Sequence, residues 1–345
     1  MTVHLGILGA GNISQTHVRA ASEIAGAQVV AVCGQNVEKT RRLAASVGAS
    51  AYEDLQAFLD HKPMEVVLIG SPPGLHTEQG IEAARRGLHV LVEKPIAITT
   101  EQADALIAAC EGAGVKLGVF FQDRVAADID KLKTFIAAGK LGTPFLASAR
   151  VKWHRPPEYY KASRWRGVWA LEGGGALMSQ AIHTVDLLLW MLGDVATVWA
   201  KALTALHDGI EVEDTLVAAL QFSGGAIGTL EAATSVYPGY PRRLEISGPE
   251  GTVVIENDYL TAADLRTPAT ELAVRPPELD NERSASPVIS DVRGHQQVIE
   301  DFLQSIATNR EPLCDGREGR RSIELIEAIY ESSRLGQAVR LAAKG

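Results

Sequence analysis

Val3-His4-Leu5-Gly6-Ile7-Leu8-Gly9-Ala10-Gly11-Asn12-Ile13-Ser14 reads as a short buried strand, a glycine turn and the opening of a helix. Val3–Leu8 is almost wholly apolar, and helical spacing takes over from Asn12 to Ile24. A G-x-G-x-x-S turn in that setting suits a dinucleotide. The first glycine allows the tight turn, the second lets backbone approach a pyrophosphate, and the helix N-terminus favours the charge that arrives there. The third position tightens helix–strand packing and holds Ser14 instead of the usual glycine or alanine. Gly9, Gly11, Asn12 and Ile13 are therefore candidate cofactor-binding residues.

Outward from this turn the same alternation continues. Gln28–Cys33, Glu65–Ile69, His89–Val92 and Lys116–Phe121 read as strands. Val37–Val47, Leu75–Arg86 and a segment running from a Thr99/Gln102 capping pair to about Gly112 read as helices. Strands of four to seven residues alternating with helices predict βαβ units and a doubly wound parallel sheet. The second half has a different rhythm. Helical segments at Ala126–Ala138 and Gly175–Leu192 accompany strand-like runs at Pro144–Trp153, Ala196–Ala205, Thr215–Gln221, Ala226–Thr234, Arg242–Ile246 and Gly251–Glu256. Close spacing and Gly-containing turns predict a mostly antiparallel sheet. Thr267–Pro287 holds four prolines and reads as a loop, followed by helices at about Val292–Thr308 and Glu318–Gln337. The expected division is a dinucleotide domain over residues 1–122 and a substrate-binding and oligomerisation domain over 123–345, whose last helix packs back on the first domain in one version of this layout.

Composition narrows the function classes. The 345 residues carry 33 Lys+Arg against 42 Asp+Glu, a net charge of −9, and 32 glycines. An acidic chain with scattered basic residues argues against nucleic acid as main partner. Cys33, Cys110 and Cys314 are too far apart for a disulfide framework or a metal cluster, so no metal is expected and a reducing compartment suits them. No stretch of about 18 apolar residues is found, so no membrane span is expected, and the N-terminus lacks a basic region of signal-peptide type. The expectation is a cytoplasmic protein with no membrane partner.

Chemistry-bearing residues gather where strands end. The usual acidic residue at the end of the second strand is absent: the segment reads Cys33-Gly34-Gln35-Asn36. Nothing there repels a 2′-phosphate, and Lys39, Arg41 and Arg42 follow, so NAD and NADP both stay open. Gly70-Ser71-Pro72-Pro73-Gly74-Leu75-His76 follows the third strand, with Ser71, Pro72, Pro73 and His76 placed to wall a cofactor. Glu93-Lys94-Pro95 ends the fourth, putting an amine at the sheet edge where partial burial and a neighbouring positive ring would make it a usable acid/base. Gly173-Gly174-Gly175 then opens an apolar helix on which Ser179, His183 and Asp186 form one polar stripe.

The GAGNIS turn, the SPPGLH loop, the EKP tripeptide and the GGG…H-x-x-D helix, in this order, resemble the Gfo/Idh/MocA family of oxidoreductases over essentially the whole chain. Phe121-Gln122-Asp123-Arg124 and Gly316-Arg317-Glu318-Gly319-Arg320-Arg321 resemble further family segments. The resemblance implies a Rossmann domain followed by an α/β domain with a large, mostly antiparallel open sheet. It also implies NAD(P)-dependent hydride transfer at a carbinol or carbonyl of a sugar, inositol or derivative, and a homodimer or homotetramer formed through that sheet. Carried over, Lys94 is the acid/base, in a Lys94–Pro95 bond often cis in the family, and His183 is the histidine beside the carbinol. Asp186 orients His183 or holds a neighbouring hydroxyl. Gly34, Gln35, Asn36, Glu93, Gln122, Trp165 and Arg166 join the implied cofactor contacts, while Arg124, His154, Tyr160 and Ser179 join the substrate contacts. Ser179 stands where relatives have Asp or Asn, so a three-residue relay lacks its carboxylate. Two other readings stay in view: a dehydrogenase of a nucleotide-linked sugar, with Arg155, Arg164 and Arg166 for the diphosphate, and a non-catalytic NAD(P)-binding sensor.

Overall fold

A computed structural model describes residues 2–275 and 291–342. Its contacts fall into two compact units, Met1–Gln122 with Val288–Arg320, and Asp123–Pro287 with Arg321–Gly345. The first unit therefore also takes in a C-terminal segment that includes the helix Arg293–Thr308.

In the first unit six strands form one parallel sheet: β1 Val3–Leu8, β2 Ala27–Cys33, β3 Ser50–Tyr52, β4 Val66–Ile69, β5 His89–Glu93 and β6 Leu117–Phe120. Their order is β3-β2-β1-β4-β5-β6, so strand order reverses between β1 and β4. In such sheets ligands bind outside the carboxyl ends of the strands at that reversal. Leu5, Ile7, every residue of β4 and Val90 are fully buried, which is why these strands read as continuous apolar runs. Helices α1 Asn12–Ser22, α2 Val37–Ala45, α3 Leu55–Leu59, α4 His76–Arg85 and α5 Thr100–Ala113 connect them. Thr99 caps α5 by accepting the Gln102 N–H at 3.2 Å, the half of the expected capping box that forms. The other half is altered: the Gln102 side chain accepts from Ile98 N–H at 3.4 Å. The helix Arg293–Thr308 lies against α1 and β6, and Phe302 fills the space left by Gly118. β3 and α3 are too short to show a period, and the sequence reading passed over both.

The second unit holds helix α6 Ala127–Ala137 and an eight-stranded sheet in the order β13-β12-β11-β7-β10-β9-β8-β14. Its members are β7 Leu146–Lys152, β8 Val195–Leu203, β9 Thr215–Phe222, β10 Ile227–Ala233, β11 Arg243–Gly248, β12 Gly251–Glu256, β13 Tyr259–Leu265 and β14 Val339–Arg340. Every pairing is antiparallel except β7 with β10. Leu216, Ala218, Leu220 and Phe222 of β9 point to a covered face while Val217, Ala219 and Gln221 stand exposed on the other. That period of two is what made these strands legible. β13 and β14 were not foreseen. The loop expected over Thr267–Pro287 is described only to residue 275, where it carries no helix or strand; the rest lies outside the described residues.

One correction concerns the apolar helix. Trp169–Leu192 does reach the length and mean hydropathy, 1.2, of a membrane-crossing segment, and 72% of that window is buried inside the protein. It packs on the covered face of the sheet, against β7, β9 and β10, which accounts for its apolarity. It is also not one α-helix: a π-helical turn, Ala176–Ala181, leads into α-helix Ile182–Leu192.

Candidate active site

In the first unit the glycine turn has the form a pyrophosphate requires. Gly9 sits at φ +126° and donates its N–H to Cys33 O at 2.7 Å; a side chain there would strike the Gly70 backbone. Gly11 is the N-cap of α1, faces open space, and no side chain caps the helix. The first amides of α1, including those of Asn12 and Ile13, are thus left for an incoming anion. Ser14 is fully buried, and its Oγ has no hydrogen-bond partner. Gln122 Oε1 is likewise buried and unpartnered. An open cradle and two orphaned polar atoms fit a nicotinamide dinucleotide.

Gly34 has a steric reason. Any Cβ there would meet Thr40 Oγ1 at 2.8 Å and the Ala10 methyl at 2.9 Å, so a carboxylate at this position would require its neighbours to shift. Gln35 is exposed. Asn36 spends its side-chain oxygen capping α2, accepting Lys39 N–H at 3.0 Å, and Arg41 pairs with Glu53 at 3.3 Å. Asn36 thus caps α2 with its oxygen and stands exposed just past the end of β2.

The SPPGLH loop carries Ser71, whose hydroxyl donates to Gln79 Oε1 at 2.6 Å, and Pro72-Pro73, which lead into a single 3₁₀ turn. His76 does not face a ligand. It is fully buried, with Nδ1 2.8 Å from Pro95 O and Nε2 3.0 Å from Ser71 O, joining this loop to the Lys94–Pro95 segment. That corrects its reading as a cofactor contact. Burial holds its imidazole below the ordinary value despite both carbonyls. Lys94–Pro95 is cis.

Beside Lys94 lies a group the sequence reading missed. Glu93, 6% exposed, accepts from His17 Nε2 at 2.9 Å, and His295 Nε2 lies 3.7 Å from the same oxygen. Burial alone would raise the Glu93 carboxyl; the His17 hydrogen bond and the nearby His295 imidazole outweigh it and hold it below the usual carboxylate range. Burial pushes the His17 imidazole down. Among the described residues this is the group with metal-ligand spacing, its atoms within 4.8 Å of one another. The buried His17 Nδ1, however, lacks the second partner that metal-bound histidines almost always have.

In the second unit the polar stripe splits into separate roles. Asp186, 1% exposed, holds Arg124 through two bonds, Nε–Oδ2 at 2.8 Å and a terminal nitrogen–Oδ1 at 2.6 Å. Arg124 is 2% exposed and lies over Trp190 at 5.2 Å. These two, read as catalytic and substrate-binding, form a buried structural pair, because neither charge is tolerable alone at that depth. The carboxylate facing His183 is Asp123, 3.7 Å from Nδ1, itself paired with Arg242. Asp123 stood in the quoted Gln122-Asp123-Arg124 segment, but nothing in its spacing marked it.

Ser179 Oγ donates to Gly175 O at 3.0 Å and accepts from Gln180 Nε2 at 3.2 Å, beside the buried Glu172. Glu172 also accepts Gly167 N–H at 2.5 Å, and burial pushes its carboxyl up to about 7. The triple glycine turns out to approach the protein's own chain: a side chain on Gly175 would overlap the Glu213 carbonyl, and one on Gly174 would overlap Tyr330. Glu213 receives Gly175 N–H at 2.9 Å and Leu177 N–H at 2.8 Å, and burial pushes it up to about 7 as well.

Tyr160 is a core residue, its hydroxyl bonded to Thr234 at 2.8 Å and its ring against His207, which corrects its substrate assignment. Tyr159 is the tyrosine among the polar groups. It accepts from Gln180 Nε2 at 2.9 Å and stacks beneath Arg166 at 4.2 Å, while Arg166 also lies over Trp165 at 5.1 Å. Arg155, 2% exposed, donates to Gln180 Oε1 at 3.0 Å. His154 rests edge-on against Tyr237 at 5.3 Å with its buried Nδ1 unpartnered.

Comparison with known proteins agrees with this layout. Residues 3–121 match the model described as "Oxidoreductase family, NAD-binding Rossmann fold", and residues 129–254 match the Gfo/Idh/MocA C-terminal domain. The chain is similar to the WlbA dehydrogenase of Bordetella pertussis, solved with NADH and UDP-GlcNAcA: 33% identity, TM-score 0.89, all of both chains covered. It is 26% identical to a D-apiose dehydrogenase of Paraburkholderia graminis over 97% of this chain and 88% of that one. It is 23% identical to a myo-inositol 2-dehydrogenase of Thermotoga maritima over 98% of each. A nucleotide turn at β1, a lysine at the end of β5 and matches to both family models lead to one conclusion: the chain belongs to the Gfo/Idh/MocA family of NAD-binding oxidoreductases.

Proposed function

We propose that the protein transfers a hydride between a nicotinamide cofactor and a carbinol or carbonyl carbon of a sugar, inositol or sugar derivative. The observation that carries this reading is within the first unit: an open, uncapped pyrophosphate turn at β1 and a lysine just past β5, two strands away on the same sheet. When bound, the cofactor accepts or supplies the hydride. Gly9, Gly11 and the first amides of α1 hold its pyrophosphate. Lys94 takes the hydroxyl proton in oxidation and returns it in reduction, and His183, faced by Asp123, hydrogen-bonds the same oxygen. Acid–base help of this kind is typically worth about 10²–10⁴-fold.

A second substrate class is favoured by a specific feature. Arg155 and Arg166 lie among Trp153, Tyr159 and Trp165 beside the Ser179 turn, a setting suited to an anionic, nucleotide-linked sugar acid. The ligand named with the WlbA structure is of that class. The test is absorbance at 340 nm with NAD and NADP in parallel against inositols, aldoses and UDP-linked sugar acids. The reading expects reduced cofactor to appear with at least one neutral or nucleotide-linked sugar. Cofactor binding with no turnover across the panel would favour the sensor reading instead.

A further inference from the structure

We infer that Glu93 is a positioning residue for Lys94, anchored by His17 and His295 and matched on the far side of Lys94 by a second buried clamp, His76 on the Pro95 carbonyl. This rests on the assignment of Lys94 as the acid/base.

Glu93 is the last residue of β5, in a sheet buried on both faces, and a carboxylate there is expensive unless fully partnered. The partners come from elements distant in sequence. His17 projects from α1, is fully buried and stacks on Phe120 at 4.4 Å with 13° between the rings. Phe120 lies in β6 directly opposite Glu93. His295 comes from the helix Arg293–Thr308 and lies 5.6 Å from Phe120. Two helices therefore bring imidazoles to one carboxyl group on β5, with Phe120 of β6 against both rings. Its other oxygen, Oε2, turns back and accepts the Lys94 N–H at 3.2 Å. One residue further on, the neutral His76 has one N–H to give, placed on the nearer carbonyl, Pro95 O at 2.8 Å, while Ser71 O lies 3.0 Å from its other nitrogen. The backbone bearing Lys94 is thereby fixed on both sides by buried side chains.

The protons can be placed. His17 Nδ1 is buried with no partner, so its hydrogen sits on Nε2 and is donated to Glu93. Among the described residues the titratable groups that act on or neighbour Glu93 are His17, His295, His76 and Lys94. A neutral His17 leaves the carboxylate's negative charge beside Lys94, where it favours the ammonium form. Glu93 thus holds geometry and biases a proton, two effects that separate experimentally.

The experiment compares wild type, Glu93→Gln, His17→Gln and Lys94→Ala by steady-state kinetics across pH 6–10, NADH fluorescence titration, thermal unfolding and metal analysis. For Glu93→Gln the expectation is a kcat, measured at saturating NADH, about 10–100-fold lower, since small misplacements of a reacting group cost that much. The rise of kcat/KM with pH should also move about one unit toward acid, because the negative charge is gone. His17→Gln should lower kcat less and leave the pH profile in place. Wild-type kcat and pH profile in a folded Glu93→Gln protein would overturn the inference. So would a variant whose loss is explained by lower unfolding temperature alone, or stoichiometric metal in the wild-type protein. Full activity in Lys94→Ala would instead overturn the assignment of Lys94, a separate result.

Discussion

Asp186 shows how a residue's partner can lie beyond the reach of its local pattern. Its three-residue spacing from His183 is plain in the sequence, but the ion pair with Arg124 joins positions 62 apart, and no local pattern reports such a partner. Removing one member of a buried pair leaves the other charge stranded, at a cost of about 3–5 kcal/mol. Asp186→Asn should therefore lower thermal stability strongly, and any loss of turnover should follow the loss of folded protein. A normal melting temperature with abolished turnover would restore Asp186 to the chemistry. Tyr160, Asn36 and His76 likewise have partners that no local pattern reports: a hydroxyl, an amide and two carbonyls supplied by the fold. The turn at Gly9 and Gly11 was legible because its form lies in the backbone of its own segment.

The π turn before His183 is the element on which the second unit's polar groups depend. Glu213 holds its first amides and Glu172 meets Ser179, and burial pushes both carboxyls from 4.5 up to about 7. The sign of the pH dependence follows. In the unfolded chain both ionise near 4.5, so between about pH 4.5 and 7 the folded state binds more protons than the unfolded one. Stability from this pair is fully present below about pH 4.5 and falls as pH rises through 7. Glu172→Gln, which cannot ionise, should shrink the fall in melting temperature between pH 5 and 8 by about half, with Glu213 keeping its share. An unchanged slope would show that Glu172 is already ionised in the folded protein. From the sequence this element looked like a plain apolar helix, because a π turn differs from an α turn in hydrogen bonding and not in hydrophobic period.

At the scale of the whole molecule, both sheets were readable from periodicity, continuous apolar runs for the parallel one and alternation for the other. The strand order, the short β3, and the C-terminal helix assigned to the first unit were not, because they are decided by long-range packing. The open face of the second sheet gathers Leu146, Trp199, Leu203, Val217 and Ile227, each 45–57% exposed. We propose that this face joins copies of the chain into a dimer or tetramer. Light scattering after size exclusion should show an oligomer in the wild type and a smaller species for Ile227→Glu; a monomeric wild type would contradict it.

The central claim is that Lys94 moves the proton while the glycine turn holds the cofactor. The most direct measurement is Lys94→Ala, with turnover and NADH affinity measured on the same folded preparation. The account predicts turnover reduced by about 10²-fold or more with cofactor affinity near that of the wild type. Turnover surviving intact would contradict it.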